Sequence, residues 1–445
     1  MRIVKLTRLL LVSLLGATSA VFAAEPVLHN QWTHWRGPEA NGVAREAAPP
    51  LTWSETENVR WKIPIAGHGT TTPIVFGDKI FLLTAVDTGR ADPSLPKPEE
   101  QPKRPFGIIY PNTTYEYIVL CLDRNTGREL WKKIAIEKIP HEGHHGDNSF
   151  ASASPTTDGE RLYAWFGGAG LYCYDLDGEL LWKRDLGTVN TRLSFGEGCS
   201  PVVYRDRLIV NRDNEDQSTI TVLDSKSGKT VWSADRDEPS AWATPLVVEV
   251  GGTTQVITNA SNRVRSYDLA DGSLIWECGG QVGNVIPSPV TNGELVFCLS
   301  GYRGSAALAI PLDSTGDLTG SDKIAWSVSR GSPYVPSPLL YDGLLYFNKS
   351  NDAIISCIEA QTGKILIGET RLPGVRRIYA SPVGAAGRVY FVGRDGDTTV
   401  LERGEELKVL ATNQLDEGCE TSPAIVGKQM FLRGKNHLYC LEEGQ

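Results

Sequence analysis

Eight Ser-Pro or Thr-Pro pairs, each opening a short apolar run, punctuate this chain: Thr72-Pro73, Ser154-Pro155, Ser200-Pro201, Thr244-Pro245, Ser288-Pro289, Ser337-Pro338, Ser381-Pro382 and Ser422-Pro423. Successive pairs lie 82, 46, 44, 44, 49, 44 and 41 residues apart. A repeat of about 45 residues is long enough for four short strands and too short for an independent domain. Such a unit cannot bury its own apolar face, so it must stack on copies of itself.

Each unit repeats one grammar. A short apolar run follows the proline, then a turn such as "YRDR" or "YDGL", then a second strand such as "LIVN" or "LYFN". A third strand ends in an acidic residue, and a Gly turn leads to a fourth strand carrying Trp. The hairpins read "LDRNTGRELW" (122–131), "YDLDGELLW" (174–182), "LDSKSGKTVW" (223–232) and "YDLADGSLIW" (267–276). Later units depart from it, with Ile367 and Leu410 at the Trp position. Proline removes a ladder donor, so it is tolerated at a sheet edge and not in a central strand. Eight prolines at one phase therefore mark eight inner edge strands. The expectation is an all-β fold: an eight-bladed β-propeller of four-stranded antiparallel blades.

The ends of the chain fit the same scheme. The chain stops at "HLYCLEEGQ", a third strand with no fourth, while "NVRWKIP" (58–64) is a fourth strand with no predecessors. Pairing Val59–Ile63 with Leu438–Leu441 would complete the last blade and close the ring. Residues 58–445 then form the propeller, and 24–57, with Trp32, Trp35 and Trp53, form a lead segment over it. The one long interval holds a polar, Pro-rich insertion at 87–117 in the first blade, expected as a surface loop.

Residues 1–23 read as a secretory signal: Arg2, Lys5 and Arg8, the apolar Leu9–Leu15, then Val21-Phe22-Ala23. Cleavage near Ala23 predicts a periplasmic or secreted protein. The apolar run is too short to span a membrane, and no Cys stands at the cleavage point to take a lipid. The net charge of −9 falls to −12 without the signal. That acidity excludes nucleic acid as an expected partner. A monomer is expected.

Eight Cys in an exported chain invite disulfides, but Cys121, Cys173, Cys357 and Cys440 occupy repeat-equivalent positions. Equivalent positions on neighbouring blades lie about 10 Å apart, beyond the ~7 Å limit between bridged Cα atoms. Buried free thiols are expected there. Pairings of Cys199 with Cys419 or Cys278 with Cys298 stay open.

The segments that precede the eight pairs should share one rim of the channel. Together they would bring His68, His144, His145, Asn148, Arg192, Glu197, Trp242, Asn284, Tyr334, Arg377 and Glu420 around one axis. An aromatic, arginines, glutamates and amides converging at a mouth suit a small polar ligand. "HEGHHGDNSFASASP" (141–155) adds candidate metal ligands in His141, His144, His145 and Asp147, set against a rim that uses His for hydrogen bonds. Asp123, Asp175, Asp224 and Asp268 precede turns and are expected to satisfy turn amides rather than bind calcium. "SGKT" (227–230) lacks the first Gly of a phosphate loop and reads as a hairpin.

The Asp-x-x-Thr-Gly-x-x-x-Trp hairpins and the eight units resemble the PQQ-like, quinoprotein-type β-propeller repeat family. That group holds quinoprotein alcohol dehydrogenases and the envelope scaffold BamB. "HWRGPEANGV", "WATPLVVE" and "YVPSPLLYDG" are similar to exported PQQ-repeat proteins of planctomycete-type bacteria. The dehydrogenase resemblance implies PQQ with calcium as cofactors. Against it, the chain has neither the adjacent Cys-Cys pair that covers PQQ in such enzymes nor a Cys-x-x-Cys-His haem motif. It also lacks the lipidated Cys of BamB. The leading expectation is a non-catalytic, BamB-like binding scaffold with a protein or envelope component as partner. The alternatives are a PQQ-dependent oxidoreductase with an atypical site and a small polar ligand-binding protein.

Overall fold

The computed structural model describes residues 30–444, so the expected signal peptide and the start of the lead segment lie outside the described residues. Eight small antiparallel sheets of four ring-forming strands are arranged as an eight-bladed propeller. Their inner strands are Ile74–Phe76, Thr156–Thr157, Val202–Tyr204, Leu246–Val250, Val290–Thr291, Leu339–Tyr341, Val383–Ala385 and Ala424–Val426. Every one starts directly after its proline, as the edge argument requires.

The ring closes as expected. Val59–Pro64 pairs antiparallel with His437–Glu442, with Val59 opposite Leu441 and Ile63 opposite Leu438. Two sheets gain a short fifth strand: Val43–Ala44 beside the seventh inner strand, and Gly316–Asp317 beside the fourth blade's outer strand.

Blades are joined by the Trp and Gly of the hairpin grammar. The indole N–H of each outer-strand Trp donates to a carbonyl in the next blade's turn: Trp61 to Arg124 (3.1 Å), Trp131 to Leu176 (3.1 Å), Trp182 to Ser225 (3.1 Å), Trp232 to Leu269 (2.8 Å) and Trp326 to Ala360 (2.8 Å). The indole lies on that turn's glycine: a Cβ at Gly272 would stand 2.6 Å from Trp232. Trp276 is the exception, fully buried and bonded to Gln255 of its own blade (3.2 Å). The turn carboxylates do local work, as at Asp224, whose Oδ1 accepts from the Ser227 amide (2.8 Å) and hydroxyl (2.6 Å).

A second ring of contacts lies at the hub. The Thr72 amide donates to the Ser154 hydroxyl (2.9 Å), Ser154 to Ser200 (2.9 Å), Ser200 to Thr244 (3.2 Å) and Thr244 to Ser288 (3.0 Å). Ser288 donates to Ser337, Ser337 to Ser381 and Ser381 to Ser422, each at 2.9 Å. In seven of the eight pairs the hydroxyl residue before the proline thus receives the amide of the blade before it; Thr72 is the exception. At the seam between the last blade and the first, Arg433 donates to the Thr71 hydroxyl (2.8 Å) and the Leu83 carbonyl (2.6 Å).

All eight cysteines are buried and unpaired. Burial pushes their thiols up, Cys121 and Cys173 to about 12.

Candidate functional site

Residues 32–36 of the lead segment lie in the channel, and its later part runs along the turns between first and second strands, with Arg45 on Asp342 (3.0 Å) and the Ala48 amide on the Gly427 carbonyl. Trp32 exchanges backbone hydrogen bonds with Val75 of the first inner strand, and the Thr33 carbonyl accepts from Thr157 of the second. On the far side the Arg36 guanidinium donates to the carbonyls of Pro382 (2.9 Å), Pro338 (2.8 Å) and Asn41 (3.1 Å). This charge is buried without a carboxylate, and burial alone lowers its pKa to about 9. The His34 imidazole, its Nε2 shut from solvent, is lowered to about 3 by burial and then by Arg36.

Above this segment lies a cavity of about 460 Å³. Trp35 contributes to its lining, together with all eight hydroxyl residues of the hub ring. Its walls are aromatic: Phe106, Phe195 and Trp242 on one side, Tyr302, Tyr334 and Tyr379 elsewhere. Phe106 meets His145 and Phe195 edge-on at 5.4 and 5.3 Å between centroids, and Tyr302 lies 4.9 Å from Tyr334.

The cavity's acids are already engaged. Arg394 pairs with Asp147 and, through Nε at 2.5 Å, with Glu420. The guanidinium also sits 4.6 Å over the Tyr379 ring, whose hydroxyl donates to Asp147 Oδ2 (2.9 Å). Burial pushes the Glu420 carboxyl up against the pull of Arg394, and it raises Tyr379 to about 12 with Asp147 adding to it. His145 Nδ1 accepts the Asp147 amide (3.1 Å), which places the proton of the neutral ring on Nε2.

Five of the expected rim residues line this cavity: His145, Asn148, Trp242, Tyr334 and Glu420. The other six do not. His68 and His144 lie behind the wall with ring centroids 6.1 Å apart, and burial lowers both. Glu197 turns back to the Gly168 amide (2.7 Å) and Arg212 (3.4 Å), and Asn284 is buried in a left-handed conformation (φ 56°). Arg192 and Arg377 are exposed away from the lining. A connecting segment has room for only its innermost side chains at the axis; the flanking His68, His144, Glu197 and Asn284 pack into the protein, and Arg192 and Arg377 turn to solvent.

The candidate metal ligands do not gather. His141 donates to the Val189 carbonyl (2.8 Å) and His144 to the His145 carbonyl (2.7 Å), while Asp147 belongs to Arg394. No group of three or more His, Cys, Asp or Glu side chains able to hold an ion occurs among the described residues.

The reading from sequence missed Phe106, Tyr302, Arg303, Asn351 and Arg394. All stand between the second and third strands of their blades. An antiparallel meander returns its second-to-third connections to the same end as the blade-to-blade connections. The signal was available in the alternation of strand direction.

The eight blades, taken with the family match that follows, place the chain among the PQQ-like propellers. The model for the family described as outer membrane protein assembly factor BamB matches residues 116–369, more than half of the chain, and the protein belongs to that family. BamB of Yersinia pestis is 20% identical over 342 residues, covering 72% of this chain and 78% of its own. The crystal structure of BamB from Moraxella catarrhalis superposes with a TM-score of 0.53 at 12% identity, over 86% of this chain and 98% of that one. Quinohemoprotein alcohol dehydrogenase from Comamonas testosteroni reaches a TM-score of 0.62 at 9% identity, over 94% and 81%. At such identities the two structures establish the fold alone.

Proposed function

We propose that this protein is a non-catalytic binding propeller of the cell envelope, working through the cavity at its loop-bearing mouth. Membership of the BamB family supports the envelope location and a scaffold role, in line with an N-terminal export signal. The observation that carries the binding reading is the cavity itself. Its lining is dominated by aromatic rings and hydroxyls, and its two carboxylates are held by one arginine.

The dehydrogenase-like neighbours make PQQ with calcium the rival reading, and the residues present fit that pair poorly. PQQ carries three carboxylates, yet Asp147 and Glu420 line the cavity and Arg394 is already shared between them. Arg303 is the one Lys or Arg that lines the cavity among the described residues. Two carboxylates bound to one guanidinium offer calcium a weak site, because the ion must first displace the arginine.

Two measurements on the exported protein test this. Melting curves with sugars, carboxylates, amines and short peptides should show stabilisation by at least one class, about 1 kcal/mol or more at saturating ligand. Incubation with PQQ, calcium and an artificial electron acceptor should give no alcohol or sugar oxidation. Turnover in that assay rejects the proposal.

A further inference from the structure

Deepening this binding reading and resting on it, we propose that the cavity takes a neutral saccharide, and that the inserted loop of the first blade presents Phe106 as a stacking platform for it. The insertion is not a loose surface loop. Gln101 clamps Tyr110 twice, accepting its amide (2.9 Å) and donating to its carbonyl (2.7 Å). Arg104 stacks over the Tyr110 ring at 4.0 Å, and the Tyr110 and Ser194 hydroxyls share a 2.6 Å hydrogen bond. The loop is thereby docked on the rim of the third blade.

At its tip Phe106 adopts a left-handed conformation (φ 57°) that a bulky side chain reaches only with strain. Its ring meets His145 and Phe195 by its edge and remains 64% exposed while lining the cavity. Three side-chain contacts within the loop and one to Ser194 hold this strained aromatic in place, and its edge contacts leave most of it uncovered, more exposure than packing alone would leave.

Ligand class follows from charge and hydrogen-bonding capacity. Asp147, Glu420, Arg394 and Arg303 sum to zero, so neither an anion nor a cation finds a net counter-charge. Seven hub hydroxyls already accept a backbone amide, and no protein acceptor for their own protons occurs among the described residues. They are left as donors to an acceptor-rich ligand. A sugar ring combines such acceptors with the apolar C–H faces that aromatic rings such as Phe106 and Trp242 can cover. The cavity volume lies within the usual range of small-molecule sites, roughly 300–1,000 Å³.

Isothermal titration with glucose, N-acetylglucosamine, maltose and cellobiose tests the proposal, with glucuronate and glucosamine as charged controls. At least one neutral sugar should bind more tightly than either control. Phe106→Ala should weaken it by ~10-fold, and Phe106→Tyr should retain it, at unchanged melting temperature without ligand. Tighter binding of a charged control, no binding of any neutral sugar, or equal affinity in Phe106→Ala each overturns it. A carboxylate, amine or peptide that stabilises the protein where neutral sugars do not would sink the saccharide and leave the binding role intact. Silence across every class would end both.

Discussion

Gly272 shows how much one position in the repeat is asked to do. Its φ of 79° lies where side chains are strained, and a Cβ would stand 2.6 Å from the Trp232 ring of the preceding blade. Gly293 has a similar φ of 91° but nothing within 4 Å of an added Cβ. Gly293→Ala should therefore cost only the backbone strain, about 1 kcal/mol. Gly272→Ala should cost about 2–4 kcal/mol, because overpacking against Trp232 adds to it. Denaturant titration of the two variants side by side measures the difference. Equal losses would show that the indole contact contributes nothing. The Trp and Gly of the hairpins were readable from their spacing, but that every hairpin Trp except Trp276 serves the following blade's Gly was not. The two residues belong to different units, and no local pattern joins them.

At the scale of elements, the lead segment makes good what the later repeats lack. The sixth and seventh blades carry Ile367 and Leu410 in place of Trp, so the indole bond to the next blade is missing there. Arg36 spans this region by bonding Pro338 and Pro382, inner-strand prolines of the sixth and seventh blades. Trp53 stacks on Tyr390 of the seventh blade at 6.4 Å, and its amide donates to Asn413 Oδ1 (2.9 Å). Burial of His34 in the same segment makes it acid-sensitive. Its folded pKa of about 3 lies below the ordinary histidine value of 6.5, so on acidification the unfolded chain takes up the proton first. The stability held by neutral His34 is whole above pH 6.5 and is lost as pH falls toward 3. The slope is at most about 1.4 kcal/mol per pH unit. His34→Asn, which keeps an acceptor for the Arg36 amide, should flatten the melting profile between pH 6.5 and 5. His68 and His144, also lowered by burial, would account for sensitivity that remains. An unaltered pH profile in His34→Asn would remove the imidazole as its cause.

For the whole molecule, closure is the step on which the other contacts depend. Without Val59–Pro64 the last blade exposes His437–Glu442 as an unpaired edge and loses the Trp61 bond to the first blade. Deleting residues 24–63 should lower the melting temperature by ~10 °C or more, or drive association through the open edge. Calorimetry with light scattering would register either result, and an unchanged monomer would contradict the closed ring. The blade number, the inner position of the prolines and the closing strand were all legible in the chain, because each follows from short-range rules. Proline lacks a donor, left-handed turns select glycine, and alternating apolar residues mark a two-faced strand. The site was legible only in part. Trp242, Tyr334 and Glu420 were found because they stand near a Ser/Thr-Pro pair, whereas Phe106, Arg303 and Arg394 had to be brought in by the folding of other connections. Trp35 reached the cavity because its segment enters the channel, held by Val75, Thr157, Pro338 and Pro382 of four different blades. The ring is thus encoded in local periodicity, while the contents of its channel arise from contacts between residues as far as 346 positions apart, which no neighbouring sequence constrains.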